Sequence, residues 1–185
     1  PTWGPIMGTG YNRNLSQWSK GEYYDSKHAS WNGSSYDNNA NTNDDLAIIA
    51  ARTAYRTDDH GDTNGTATEL SLGSGGGINQ TGIISETSEV DVFSFSTGAG
   101  SITINADPFK ADTRTWGGNL DITLELYDAG GSLVTSNNSA TDVKATITTT
   151  ITAGTYYIHI KPSAAGNASG TGSPYDSVTS TRAGY

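Results

Sequence analysis

Apolar and polar residues alternate with period 2 through much of the chain after residue 66, the pattern of strands with one buried face. In NLDITLELY, Leu120, Ile122, Leu124 and Leu126 alternate with Asp121, Thr123, Glu125 and Tyr127. VKATITTTI repeats the pattern with Ala145, Ile147 and Ile151. TYYIHIK sets Tyr156, Ile158 and Ile160 on one face and Tyr157, His159 and Lys161 on the other. VDVFSF, SITINA and NQTGIIS are shorter strand candidates. The turn signals TGAG, DAGG, SNNSA and TAGT separate the runs, and SLGSGGGINQ reads as a flexible hairpin loop. About six to eight short strands at roughly ten-residue spacing, with polar outer faces, predict a mainly β protein built as an antiparallel β-sandwich.

Before residue 58 the period differs. NDDLAIIAARTAY, Asn43 to Tyr55, predicts a helix capped by Asn43 or Asp44, with Leu46, Ile49 and Thr53 on one face and Arg52 and Arg56 near its end. A second short helix is expected after Ser19, with Glu22 placed for a capping box. Ser30 to Asn43 is polar and is expected to be a loop. The shift in composition near YRTDDHGDTNGTATEL divides the chain into residues 1–57 and 58–185.

Composition narrows the function classes. The 185 residues contain no cysteine, which excludes a disulfide framework and thiolate chemistry. The net charge is −9, and residues 58–185 carry all of the excess, with fourteen acidic and five basic groups. Such a surface repels nucleic acid and suits divalent cations or salty media. No apolar run reaches the roughly 20 residues of a membrane span. The first residue is Pro1, and the chain is expected to be a processed piece of an exported, extracellular protein.

A catalytic set is missing from the inventory. No serine lies in a G-x-S-x-G elbow, and the three histidines, His28, His60 and His159, stand in unrelated contexts. H-E-x-x-H is absent, so a complete zinc site within this chain is not expected. His159 is expected to be a strand residue facing solvent or a neighbouring strand.

Two stretches resemble known families. WGPIMG, followed by LSQWSKGEYY, resembles the Met-turn region of secreted metzincin-type, reprolysin-like zinc metallopeptidases. The resemblance makes Met7 the turn methionine beneath the zinc ligands, a place suited to a soft, non-ionising thioether. The ligand helix itself is not in the sequence, so zinc would belong to the parent peptidase, and residues 1–57 would be the C-terminal remnant of its catalytic domain plus a linker. DDHGDTNGTATEL, GIISETSEVDVFSFSTGAGSITI, NLDITLELYDAGGSLV and ITAGTYYIHIKP together resemble the bacterial pre-peptidase C-terminal (PPC) domain over residues 58–185. That resemblance implies a β-sandwich, jelly-roll-like in build and appended to secreted hydrolases. Some relatives bind calcium or insoluble protein substrates. SPYDSVTSTRAGY departs from the family's usual last strand.

The resemblance makes Asp58, Asp59, Asp62 and Asp91 candidate calcium ligands, since calcium takes several carboxylate and carbonyl oxygens. The bland alternative is that they cap turns and solubilise the surface. Trp116, beside Arg114, is a candidate platform for a sugar or peptide, or else a plug at the sandwich edge, and Trp31 and Tyr36 carry the same ambiguity. The function expected is a non-catalytic, calcium-stabilised C-terminal module of an exported bacterial zinc metallopeptidase. It would serve export, stability or binding of a protein or polysaccharide substrate. The alternatives are a structural part of the catalytic domain completed by an upstream zinc-ligand segment, and a stand-alone carbohydrate-binding module that uses Trp116.

Overall fold

Leu120, Ile122, Leu124 and Leu126, the apolar half of NLDITLELY, have no exposed surface at all and form the centre of the molecule. A computed structural model describes residues 3–5, 15–17, 30–31, 36–37, 45–71, 73, 76–86, 88–109, 120–139 and 142–163, the first four ranges by backbone alone. The elements are β1 (Trp3–Pro5), β2 (Leu15–Gln17), β3 (Ser30–Trp31), β4 (Tyr36–Asp37), α1 (Asp45–Thr53), β5 (Thr68–Glu69), β6 (Asp91–Thr97), β7 (Gly100–Ala106), β8 (Ile122–Asp128), β9 (Leu133–Asn138), β10 (Ala145–Ile151) and β11 (Gly154–Pro162). Met7, Arg114, Trp116 and the helix expected after Ser19 lie outside the described residues.

Two sheets face each other across one core. The larger has the order β5-β6-β11-β8-β9, and β10 pairs with β7 in the other. β11 is antiparallel to both neighbours, with Ile158 opposite Phe93 on one side and Leu126 on the other. Ile147 lies opposite Ile104 in the second sheet. Phe93, Phe95, Leu124, Leu126, Ile158 and Ile160 from the first sheet pack in one cluster with Ala106, Ala145, Ile147 and Ile151 from the second. Each Leu or Ile taken fully out of water contributes about 1.5–3 kcal/mol. The alternation therefore fixes which face turns inward: a slip of one residue would move every one of these side chains to the solvent side.

Four expectations need correction. NQTGIIS is not a strand: Ile83 makes only an isolated bridge, although Ile84 is buried in the core. β9, LVTSNN, is a strand whose weak pattern conceals it, because as an edge strand it leaves Leu133 and Val134 exposed. SNNSA accordingly falls partly within a strand. SLGSGGGINQ is not a hairpin loop, since β5 and β6, which flank it, pair in parallel. Within the polar stretch Ser30 to Asn43, β3 and β4 form an antiparallel pair that sets Trp31 opposite Tyr36. Helix α1 forms as expected, with Asp45 in its first turn and Arg52 in its last. None of its residues is buried, and Ile48 and Ile49 are exposed.

Candidate functional site

The loop DDHGDTNGT folds back on itself before β5 and is tied to the start of β6. Asp58 Oδ1 accepts from His60 N at 3.0 Å, an Asx turn that starts the loop. At Gly61 a Cβ would stand 2.4 Å from both Thr66 O and Thr66 Oγ1, so the loop closes this tightly only around glycine. Gly61 O then accepts from Val92 N at 3.1 Å, and Asp62 Oδ1 from Val90 N at 2.9 Å. Asp59 Oδ1 accepts from Ile83 N at 3.2 Å, which fastens the loop to a third segment.

This folding brings four carboxylates together. Asp58, Asp59, Glu89 and Asp91 each offer an oxygen, and all four oxygens lie within 4.8 Å of one another. Oxygens on opposite sides of a calcium ion bound at 2.3–2.6 Å would be about 5 Å apart, so the spacing fits that ion. Asp58 and Asp59 are exposed, while Glu89 and Asp91 are buried. Three of the four expected ligands are therefore gathered, and Asp62 stands outside the group, engaged with the Val90 amide.

Glu89 is the member that the sequence pattern did not single out. Its Oε2 accepts from Ser85 N at 2.5 Å and Glu86 N at 2.9 Å. Its Oε1 is buried and has no hydrogen-bond partner, a costly state for a carboxylate unless a cation or proton joins it. Burial pushes the Glu89 carboxyl above the ordinary carboxylate value. The Ser85 and Glu86 amides pull it down, and the charges of Asp58 and Asp62 push it up again. The signal available in the sequence was its position two residues before Asp91 in SEVDVF, which puts both side chains near one strand end.

His60 locks the loop from beneath. It is buried, its ring lies 4.6 Å from that of Phe93, and its Nε2 is 2.9 Å from the Thr81 carbonyl oxygen. A carbonyl only accepts, so Nε2 carries a proton there. Nδ1 lies 2.9 Å from Thr68 Oγ1.

On the outer face of the larger sheet stands a second polar group. Lys161 Nζ is 2.7 Å from Glu125 Oε1, and Tyr127 donates to Glu125 Oε2 at 2.9 Å. His159 lies with its ring 4.5 Å from that of Tyr127 and its Nε2 2.7 Å from Asn64 Oδ1. It is half-buried on this outer face, as expected of its place in β11. Burial holds its imidazole below the ordinary value, Glu125 opposing and Lys161 reinforcing that shift.

Residues 89–162 match the family model of the bacterial pre-peptidase C-terminal domain. The PPC match covers under half of the chain, from Glu89 to Pro162, and so runs from the buried half of the acidic cluster to the end of β11. Asp58 and Asp59 lie outside the PPC-matched residues. PPC domains are C-terminal modules often found in secreted peptidases. No curated protein matches the chain. No helix among the described residues is long and apolar enough to cross a membrane.

Proposed function

We propose that the chain is a non-catalytic C-terminal module of an exported bacterial zinc metallopeptidase. Residues 58–185 form its calcium-stabilised sandwich, and residues 1–57 are the end of a metzincin-type domain and a linker. The PPC match over residues 89–162 carries this reading. The cluster of Asp58, Asp59, Glu89 and Asp91 supports calcium, because its buried, unpartnered Glu89 Oε1 is the kind of atom a cation satisfies. Bound calcium would supply positive charge among four carboxylates. The protein's part is to hold the exposed pair, Asp58 and Asp59, against the buried pair, Glu89 and Asp91. A module so fixed serves the parent by stability or export, or by tethering it to a protein or polysaccharide and so raising the local substrate concentration.

Thermal unfolding with calcium, with chelator, and with sodium chloride at equal ionic strength tests the metal. A calcium-specific rise in Tm is expected, and equal curves in the three conditions would remove calcium from the proposal. Azocasein hydrolysis by the chain itself, abolished by a zinc chelator, would overturn the non-catalytic reading.

A further inference from the structure

Asn64 precedes Gly65 in one of two Asn-Gly pairs in the sequence, the other being Asn32 and Gly33. An asparagine side chain is open to attack by the backbone nitrogen of the next residue. Glycine there has no Cβ to block the approach and has the widest backbone freedom. The pair sits in a surface turn with Gly65 exposed. Thr66 N donates to Thr63 O across the turn at 3.0 Å, and Thr63 N donates to Thr66 Oγ1 at 3.2 Å, so the threonines rather than Gly65 supply its closing donors. Among the described residues the Asn64 side chain has one hydrogen-bond partner, its Oδ1 lying 2.7 Å from His159 Nε2.

We propose that Asn64 is a site of spontaneous deamidation, and that the carboxylate formed at position 64 keeps the contact with His159 as an ion pair. When the turn opens, the Gly65 nitrogen loses its proton to water and attacks Asn64 Cγ. The new Cγ–N bond forms as the Cγ–Nδ2 bond breaks, and Nδ2 leaves as ammonia after taking up a proton. Water then opens the cyclic imide at either carbonyl, giving an aspartyl or an isoaspartyl link. One water is consumed, one ammonia is released, and nothing is oxidised or reduced.

The direct aspartyl product leaves the main chain as it was, with oxygen in place of Nδ2, so that a carboxylate oxygen still faces His159 Nε2. Among the described residues, the polar and charged neighbours of His159 are Asn64 from the loop, Glu125 and Tyr127 from β8, and Lys161 from its own strand. A carboxylate added to this set makes the contact charge-assisted and favours the imidazolium. The event thus adds a charge to a loop that already holds three aspartates and strengthens its fastening to the sheet. The proposal does not rest on calcium binding or on a parent peptidase.

Peptide mapping by mass spectrometry of the full chain, aged at mildly alkaline pH in native buffer and in urea, follows the mass gain at Asn64. Conversion in the native sample is expected, several-fold slower with Gly65→Ala and faster with His159→Ala. The alanine at 65 is sterically tolerated, since its Cβ would meet nothing nearer than Thr63 Oγ1 at 3.9 Å. An intact amide at Asn64 in the native sample, while the urea sample converts, overturns the proposed site. In Asn64→Asp, the His159 midpoint read by NMR should rise by about one unit. A midpoint unchanged or lowered overturns the ion pair.

Discussion

Glu89 concentrates the electrostatic problem of the acidic loop in one side chain. Its pKa is raised in the folded chain, so the folded state holds its proton more tightly than the unfolded state does. Its contribution to stability is therefore full below the unfolded value and is lost as pH rises through the folded one. Calcium should offset that loss, because the ion binds the charged form. The calcium-linked gain in Tm is expected to grow with pH above the ordinary carboxylate range, and Glu89→Gln should abolish most of the gain while leaving the metal-free chain folded. Calorimetry across a pH series, with and without calcium, reads both effects. His159 works in the opposite sense. Its pKa is lowered on folding, so its contribution to stability is present above about 6.5 and is lost as pH falls through the folded value. His159→Gln is expected to flatten that limb of the stability curve, read from urea midpoints on both sides of it.

Strands and loops were legible to different degrees, for physical reasons. β8, β10 and β11 carry strict alternation because one face is buried against a second sheet. β9 lies at a sheet edge, with Leu133 and Val134 exposed, so its sequence is under weaker patterning. NQTGIIS has the composition of a strand, yet only Ile84 among its apolar residues lies in the core cluster. The loop before β5 depends on Gly61. In Gly61→Ala the added carbon meets the Thr66 backbone at 2.4 Å, and the segment must shift. A loss of about 1–3 kcal/mol is expected from such overpacking, together with weakened calcium dependence. Leu124→Ala in β8 should cost about 2–5 kcal/mol without changing the calcium increment beyond the general loss of Tm. Chemical denaturation of the two variants separates the loop effect from the core effect.

Across the whole molecule, charge and fold act separately. The sandwich core is apolar and shared between the sheets, while the sequence carries a net charge of −9. Self-repulsion of that order destabilises the compact state and is screened by salt. Raising sodium chloride is expected to increase Tm gradually. Calcium should act at far lower concentration and saturate, since it occupies a site instead of an ionic atmosphere. A Tm series in each salt distinguishes the two curves. The same charge predicts no retention on immobilised DNA at physiological salt.

Sequence alone determined the fold class and the inward faces of the main strands, because period-2 burial is a local property written into consecutive residues. It also supplied Asp58, Asp59 and Asp91 as candidate ligands, through their resemblance to family blocks. Only the tertiary structure brought Glu89 into that group and placed Asp62 on the Val90 amide. Only there did Asn64 meet His159, ninety-five residues away. These pairings follow from how the loop closes around Gly61 and docks on β6 and β11, and no local pattern encodes a contact between segments so far apart in the chain.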